Sequence, residues 1–396
     1  MRPFKGNGNA KIVTGVRRCG KSSLLETFID SFPDDVNIIR INMQHPENEE
    51  IKQWRKLYDH VLANLDASKN NILFVDEIQE VEEWESAIRG LISKQSCEIY
   101  LTGSNSKLLS TEFSTYLTGR YDRFHVLPLS FSECVEFHER YHGAADPNDV
   151  LKKFIRTGGF PLIWRYNMDV ESADGVVKTL VDSSITNDIV KRYNIRNVDL
   201  LKRILKVLAS TIGSYASATN IYNALISGGN KVSMDVIYDY LEYLERAYLI
   251  IKAETMDIKG REILRSSYKY YVTDLGIKHA LLGYRPDDIS GHMENIIFTE
   301  LIGRGYDVYV GKADGKEVDF VAERGTERLY VQVCKELGRE KTIKREFGNL
   351  EAIRDSYPKF VVLMEAGMFK GIFPKGIICC GLREFLEMPA YGLLKG

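Results

Sequence analysis

Residues Gly15-Val16-Arg17-Arg18-Cys19-Gly20-Lys21-Ser22-Ser23 constrain this chain more than any other stretch. They follow the spacing of a phosphate-wrapping loop, a glycine, four residues, then Gly-Lys-Ser. The apolar pair Ile12-Val13 precedes them, and Ser23-Leu24-Leu25-Glu26-Thr27-Phe28-Ile29 follows with helical periodicity. Strand, loop, helix is the context such a loop needs. Its glycines let backbone amides curl around phosphate oxygens, and the helix N-terminus adds its positive end. Gly15, Arg17, Arg18, Cys19, Gly20, Lys21, Ser22 and Ser23 are therefore expected to line a nucleotide phosphate site. Lys21 is expected to reach the terminal phosphates, and the Ser22 hydroxyl to enter the shell of a bound Mg2+.

The next segments read as an α/β unit. Val36-Asn37-Ile38-Ile39-Arg40-Ile41-Asn42 alternates like a strand, and Trp54, Leu57, Val61 and Leu65 mark a helix. Asn71-Ile72-Leu73-Phe74-Val75-Asp76-Glu77 reads as a buried parallel strand closing on two acids. Asp76 is expected to hold Mg2+ directly or through a water, and Glu77 to polarise the water that attacks the terminal phosphate. A strand ending in a solvated acidic turn is the alternative for this pair taken alone. A helix is expected over Glu83 to Ser93, then a third strand over Cys97 to Asn105. Ser104 or Asn105 is placed to contact the terminal phosphate or its water, with a helix cap at Ser104 or Ser106 as the rival. Arg120, or second to it Arg123, is a candidate to neutralise charge on that phosphate, in its own subunit or a neighbour's. A plain surface arginine is the rival. Phe124 to Leu129 looks like a further strand, and Ser130 with Glu133 like a capping box.

Composition narrows the remaining choices. The length of 396 residues leaves room for about two to four domains. A formal net charge of -2 excludes a uniformly basic nucleic-acid binder and leaves a local basic face open. The 6 cysteines are too few for a disulfide scaffold and are expected to be buried reduced thiols. No cysteine and histidine spacing matches a zinc site. No run approaches the roughly 18 apolar residues of a membrane span. Met1 to Asn9 is polar and lacks a signal core. A cytoplasmic protein, where ATP is plentiful, is expected.

Taken together, Gly15 to Ser23, Phe74-Val-Asp-Glu-Ile-Gln79, Leu101-Thr-Gly-Ser-Asn-Ser106, Gly119-Arg120 and Leu127-Pro-Leu-Ser-Phe131 give the chain a recognisable character. It resembles the bacterial and archaeal ATPases of the AAA superfamily whose C-terminal half is a domain of unknown function. The resemblance covers almost the whole chain. It implies ATPase chemistry with Lys21, Ser22, Asp76, Glu77 and the Ser104/Asn105 position as carriers, and a C-terminal half akin to restriction-endonuclease folds. Relatives generally carry more sequence ahead of the loop. The resemblance thus implies that part of the adenine-side wall is missing here or supplied elsewhere.

Val150 to about Arg196 is helical, broken at Gly158-Gly159-Phe160-Pro161, with Asp188 to Asn194 expected to be exposed. Helices from Leu200, Ser217 and Ser233, then strands at Tyr248-Ile251 and Tyr268-Val272 joined by polar residues 256–265, suggest a winged-helix module. Its third helix carries Asp235, Asp239, Glu242 and Glu245, which duplex phosphates would repel. Lys259, Arg261 and Arg265 supply the wing. A protein contact or an inter-domain role is preferred for the module, with nucleic-acid contact through the wing left open. In the last part, a nuclease of the implied fold needs a helix glutamate (Glu294 or Glu300), a strand aspartate (Asp319), and a residue such as Gln332 two before a lysine. Cys334 stands where that lysine belongs, so this part is expected to be a catalytically inactive scaffold.

The expected architecture is α/β throughout. It comprises a P-loop NTPase (AAA-like) domain over 1–140, a helical linker over 141–198, a winged helix over 199–275, and a small α/β restriction-endonuclease-like domain over 276–396. The expected activity is ATP binding with Mg2+-dependent hydrolysis to ADP and phosphate, coupled to movement of a C-terminal half that binds DNA or protein. An ATP-gated metal-dependent nuclease and a non-hydrolysing nucleotide-dependent adaptor are the alternatives. An Arg120 acting in trans would require a homo-oligomer.

Overall fold

The computed structural model describes residues 2–104, 119–229, 232–313, 315–337, 347–373, 376–389 and 391. The chain divides into two compact units, residues 1–126 with 246–248, and residues 127–245 with 249–396.

The first unit is built on five parallel strands, β1 (Ala10–Thr14), β2 (Asn37–Asn42), β3 (Asn71–Asp76), β4 (Glu98–Gly103) and β5 (Tyr121–His125). Their order across the sheet is β2-β3-β4-β1-β5. β4 is thus inserted between the strand that leads into the phosphate loop and the strand that ends in Asp76. Every residue of β1 is buried, as expected for a strand covered on both faces. Alternation sends Ile12, Leu73, Val75, Ile99 and Leu101 to one face. Helices α1 (Lys21–Ile29), α2 (Trp54–Ala63) and α3 (Trp84–Lys94) complete the unit. Leu57, Val61, Ile88 and Leu91 of α2 and α3 pack into that face. The other face presents Val13, Ile72, Phe74 and Tyr100 to Leu25 and Ile29 of α1. β5 covers residues 121–125, earlier than the 124–129 expected from the apolar run. Pairing with β1 decides this, because Tyr121 stands opposite Ala10 and His125 opposite Thr14.

The second unit opens with helices α4 (Phe131–His142), α5 (Pro147–Thr157), α6 (Pro161–Arg165) and α7 (Val170–Ser184). The Ser130-Glu133 capping box is present, with Ser130 Oγ accepting from the Glu133 amide at 3.3 Å and Glu133 Oε2 from the Ser130 amide at 2.8 Å. The glycine pair between α5 and α6 is a close approach. A Cβ on Gly159 would lie 2.0 Å from the Leu129 carbonyl oxygen. α7 continues as a π-helical turn, Ile185–Val190, and buries Asp188 and Ile189. This corrects the expectation that residues 188–194 are exposed throughout: the apolar neighbours Ile185 and Ile189 carry Asp188 inward with them.

Next come α8 (Val198–Ser210), α9 (Ala218–Ser227) and α10 (Met234–Arg246). Ser217 caps α9 by accepting from the Asn220 amide at 3.0 Å. A hairpin of β6 (Ile250–Asp257) and β7 (Glu262–Val272) follows. Its strands run well into the polar stretch 256–265 that the sequence suggested as a linker, and only residues 258–261 turn. After α11 (Leu275–Leu282) and α12 (Ile289–Gly303) come β8 (Asp307–Ala313), β9 (Lys316–Arg324), β10 (Glu327–Cys334), β11 (Lys359–Leu363), β12 (Gly371–Phe373) and β13 (Ile377–Gly381), then α13 (Leu382–Glu387). These strands and the hairpin form one eight-stranded sheet ordered β12-β13-β11-β10-β9-β8-β6-β7. The sheet therefore draws strands from both sides of residue 275. Asp274 caps α11 through the Gly276 amide at 2.8 Å, and its other oxygen accepts from the Gly159 amide at 2.6 Å. All 6 cysteines are free thiols, and five of them are buried. Among the described residues, no helix is long and apolar enough to cross a membrane.

Candidate nucleotide site

In a parallel sheet of this kind, ligands bind beyond the carboxyl ends of the strands. Here β1, β2, β3 and β5 end there in Thr14, Asn42, Asp76 and His125, and β4 in Thr102-Gly103. The phosphate loop leaves this same edge. Gly15 sits at φ +155°, and a Cβ there would lie 2.1 Å from the Val126 carbonyl oxygen, so no side chain is tolerated. Gly20, at φ 105°, turns the chain into α1. Arg18, at φ 65°, takes a left-handed backbone that costs a non-glycine residue about 1–3 kcal/mol. Cys19 is buried and its thiol donates to the Val126 carbonyl at 3.3 Å. Burial pushes that thiol's pKa up, against the pull of the Lys21 charge, so it stays protonated. Arg17 is half-buried, while Arg18 and Ser23 are exposed.

Lys21 is only 4% exposed and donates to the carbonyls of Gly15 and Val16, both at 3.0 Å. Ser22 Oγ donates to Asp76 Oδ1 at 2.7 Å. The same carboxylate accepts from the Thr102 hydroxyl and, through Oδ2, from Asn42 Nδ2 at 3.1 Å. The helix serine and the strand aspartate are thus in direct contact, with the loop lysine next to that serine in the chain. Glu77 has a left-handed backbone, φ 56°, and its amide donates to Thr102 Oγ1 at 2.9 Å. Gln79 holds its carboxylate through Nε2, which also lies 3.5 Å from Ser104 Oγ. The Gln79 Oε1 and Thr14 Oγ1 atoms are buried without a hydrogen-bond partner. Ser22, Asp76 and the hydroxyls around them form a hard oxygen donor set, which suits Mg2+ shared with phosphate and water.

Two expected residues fall elsewhere. Asn105, with Ser106, lies outside the described residues. Arg120 is at the opposite edge of the sheet, where its carbonyl accepts from the Ala10 amide at 3.0 Å, at the amino end of β1. A role for Arg120 on the terminal phosphate of its own chain is corrected accordingly, since the length of β1 separates it from the loop. Arg123 is exposed midway along β5, opposite Ile12. The sequence reading missed His125, Thr102, Asn42 and Gln79. His125 is held neutral, its pKa brought down to about 4 by burial and then by the Arg123 and Lys21 charges. Its ring packs on Tyr248 with centroids 4.7 Å apart. Asn42 and Thr102 follow apolar residues at the carboxyl ends of β2 and β4, and that was the signal available for these two of the four.

The second unit gathers another set of charges. Lys269, 1% exposed, donates to Glu317 Oε1 at 2.7 Å and lies 3.6 Å from Glu294 Oε2. Burial lowers the affinity of its ammonium for the proton, but Glu294, Asp319 and Glu317 outweigh this and hold it above its ordinary pKa. Asp319 Oδ2 accepts from Gln332 Nε2 at 2.8 Å and from the Val333 amide at 2.7 Å. Gln332 Oε1 is buried without a hydrogen-bond partner. Cys334 donates to the Glu336 carbonyl at 3.1 Å. Glu300 is drawn off by Arg304 at 2.6 Å, which separates it from this cluster and leaves Glu294 as its helix glutamate. The cation beside these acids is thus Lys269 of β7, while position 334 holds Cys334. Among the described residues, no three acidic, histidine or cysteine side chains are arranged to hold a metal ion.

Comparison with known proteins agrees with the first unit. An AAA domain family matches residues 7–135, and a domain of unknown function (DUF8612) matches residues 148–288. An uncharacterized protein of Haemophilus influenzae is 34% identical over 364 residues, covering 91% of this chain and 90% of that protein. An uncharacterized protein of Methanocaldococcus jannaschii is 33% identical over 358 residues, covering 87% of this chain and 79% of that protein. Among solved structures, the Walker-type ATPase of Pyrococcus abyssi matches 69% of this chain and 90% of its own, at 19% identity and a TM-score of 0.46. The chain belongs with these bacterial and archaeal relatives to a family of P-loop ATPase-like proteins of the AAA superfamily, in which a domain of unknown function follows the AAA domain.

Proposed function

We propose that the first unit binds ATP with Mg2+ and hydrolyses it to ADP and phosphate, and that the second unit is a binding half that responds. One observation carries the reading: Ser22 Oγ meets Asp76 Oδ1 at 2.7 Å beside a buried Lys21 that, among the described residues, donates to two carbonyls. The loop amides and Lys21 bind and orient the phosphates. Ser22 and Asp76 would hold the metal ion, which when bound would neutralise charge on the terminal phosphates. Glu77 takes the proton of the attacking water, and Gln79 positions the Glu77 carboxylate. Release of phosphate by the purified chain tests this. Lys21→Ala is expected to lower nucleotide binding and to cut release by about a hundredfold or more. Glu77→Gln is expected to keep nucleotide binding and to lose about a hundredfold in release. Release unchanged in both variants overturns the assignment.

The second unit is read as a winged-helix arrangement of α8 to α10 with the β6-β7 hairpin, followed by a restriction-endonuclease-like sheet. The helix order and the mixed parallel and antiparallel pairing support this. One observation favours a second reading, an ATP-gated metal-dependent nuclease: Lys269 stands with Glu294, Asp319 and Gln332. Mg2+- or Mn2+-dependent cutting of DNA that is lost in Asp319→Ala and in Lys269→Met would establish it. No cutting under either metal would remove it.

A further inference from the structure

A cavity of about 370 Å³ opens in the second unit between the β6-β7 turn, the start of β10 and residues 352–355. Lys259, Arg261, Arg328 and Arg354 stand on its lining against one carboxylate, Asp355, over a floor that includes Ile258 and Ile353. Asp355 is already answered, since Oδ2 accepts from the Tyr330 hydroxyl at 2.5 Å and Oδ1 from Lys359 Nζ at 3.3 Å. Arg328 is paired with Glu323. Lys259, Arg261 and Arg354 are exposed, so the rim is electropositive although the chain as a whole is not. The turn is built to hold its cations in place. Asp257 Oδ1 accepts from the amides of Lys259 at 2.9 Å and Gly260 at 2.8 Å, and the Asp257 carbonyl accepts from the Arg261 amide at 2.8 Å. Arg261 itself sits at φ 54°, a left-handed conformation that a bare turn would give to glycine.

We propose that this cavity docks the phosphodiester backbone of a nucleic-acid duplex, without reading its bases. The proposal deepens the reading of the second unit as a binding half and rests on it. Cations from three separate elements around an apolar floor suit successive phosphates flanking sugar. No aromatic ring is among the described residues of the lining, so the stacking platform that single strands use is missing. The exposed Asp235, Asp239 and Glu242 on α10 turn the duplex away from that helix and toward the hairpin. The Arg265 side chain, expected to support the wing, lies outside the described residues.

Fluorescence anisotropy of the full chain with labelled DNA and RNA duplexes of mixed sequence, over a range of salt, tests the proposal. Binding is expected to fall with salt with a logarithmic slope of about −3 to −4, close to 0.9 per neutralised phosphate. Arg261→Glu with Arg354→Glu is expected to weaken binding by about tenfold or more and to flatten the slope by about 2. Arg261→Ala with Arg354→Ala, which removes charge without reversing it, moves both readings the same way by less. Absence of duplex binding at low salt, affinity unchanged in both pairs of variants, or a preference for single strands overturns the proposal. Phosphate release measured on the same preparations separates the two ideas. A chain that releases phosphate but ignores the duplex sinks this one alone, and the converse result sinks the nucleotide assignment alone.

Discussion

Lys21 and Lys269 are both buried cations, yet the two units hold them in opposite ways. Lys21 donates to carbonyls five and six residues away in its own loop. Lys269 donates to a carboxylate 48 residues away and has a second one beside it. An ammonium held by neutral dipoles is a charge awaiting an anion, whereas one held between carboxylates is already matched. The first arrangement leaves room for a ligand to win the cation over. The second ties strands and a helix together, and removing the lysine strands the acids. A buried lysine therefore reports function or fold according to what its ammonium touches, and burial alone does not distinguish them.

Stability measurements can break that contrast, and the largest effect is expected at Lys269. Lys269→Ala should cost about 3–5 kcal/mol, the penalty for leaving buried carboxylates unpaired, while Lys21→Ala should stay within about 1 kcal/mol. Urea unfolding of both variants reads this directly, and equal losses would erase the distinction.

A smaller effect is expected with pH. In the second unit burial brings both His279 and His292 down to about 4. The unfolded chain takes up protons from about pH 6.5 downward that these folded rings refuse, so stability falls as pH drops from 6.5 toward 4. Asp274 opposes this. Burial raises it to about 6 despite the Gly159 and Gly276 amides, so its share of stability grows as pH falls from 6 toward its unfolded value near 4. Glu245, raised to about 7 by burial, opposes the histidines as well, so their share is read from a variant rather than from the net profile. His292→Phe should remove about 2 kcal/mol of the loss between pH 7 and pH 4.5. An unchanged acid profile in that variant would assign the sensitivity elsewhere.

The smallest effect is expected at Arg120. Its position at the far edge of the first sheet predicts that Arg120→Ala changes phosphate release by less than about twofold. A loss of a hundredfold would mean that a second copy of the chain delivers this arginine to the phosphate.

What the sequence made legible was contiguous. The loop from Gly15 to Ser23, the Asp76-Glu77 strand end and the Ser130-Glu133 cap each carry their geometry in neighbouring residues, and each appears in place. What it hid depends on register. Asn42 reaches Asp76 because parallel pairing sets the two residues side by side, and Thr102 does so because β4 is inserted next to β3. Arg120 looked catalytic because a linear string does not say at which end of a sheet a residue falls. Lys269 was invisible for a related reason. A cation was sought two places after Gln332, whereas the one that stands beside Glu294 and Glu317 comes from a hairpin some sixty residues earlier in the chain. The reach of the same hairpin was hidden too, because polar residues 256–265 looked like the connection between its strands, and only pairing across a bulge between Glu254 and Thr255 shows them running to Asp257 and back from Glu262.

That hairpin also sets how this protein can be taken apart. β8 pairs with β6 through Thr255, Met256 and Asp257 on one side and with β9 on the other. A fragment starting after residue 275 would leave β8 as a raw border of unpaired amides and carbonyls, ready to recruit a border from another molecule. Fragments intended to remain monomeric should therefore retain residues 250–272 together with everything that follows.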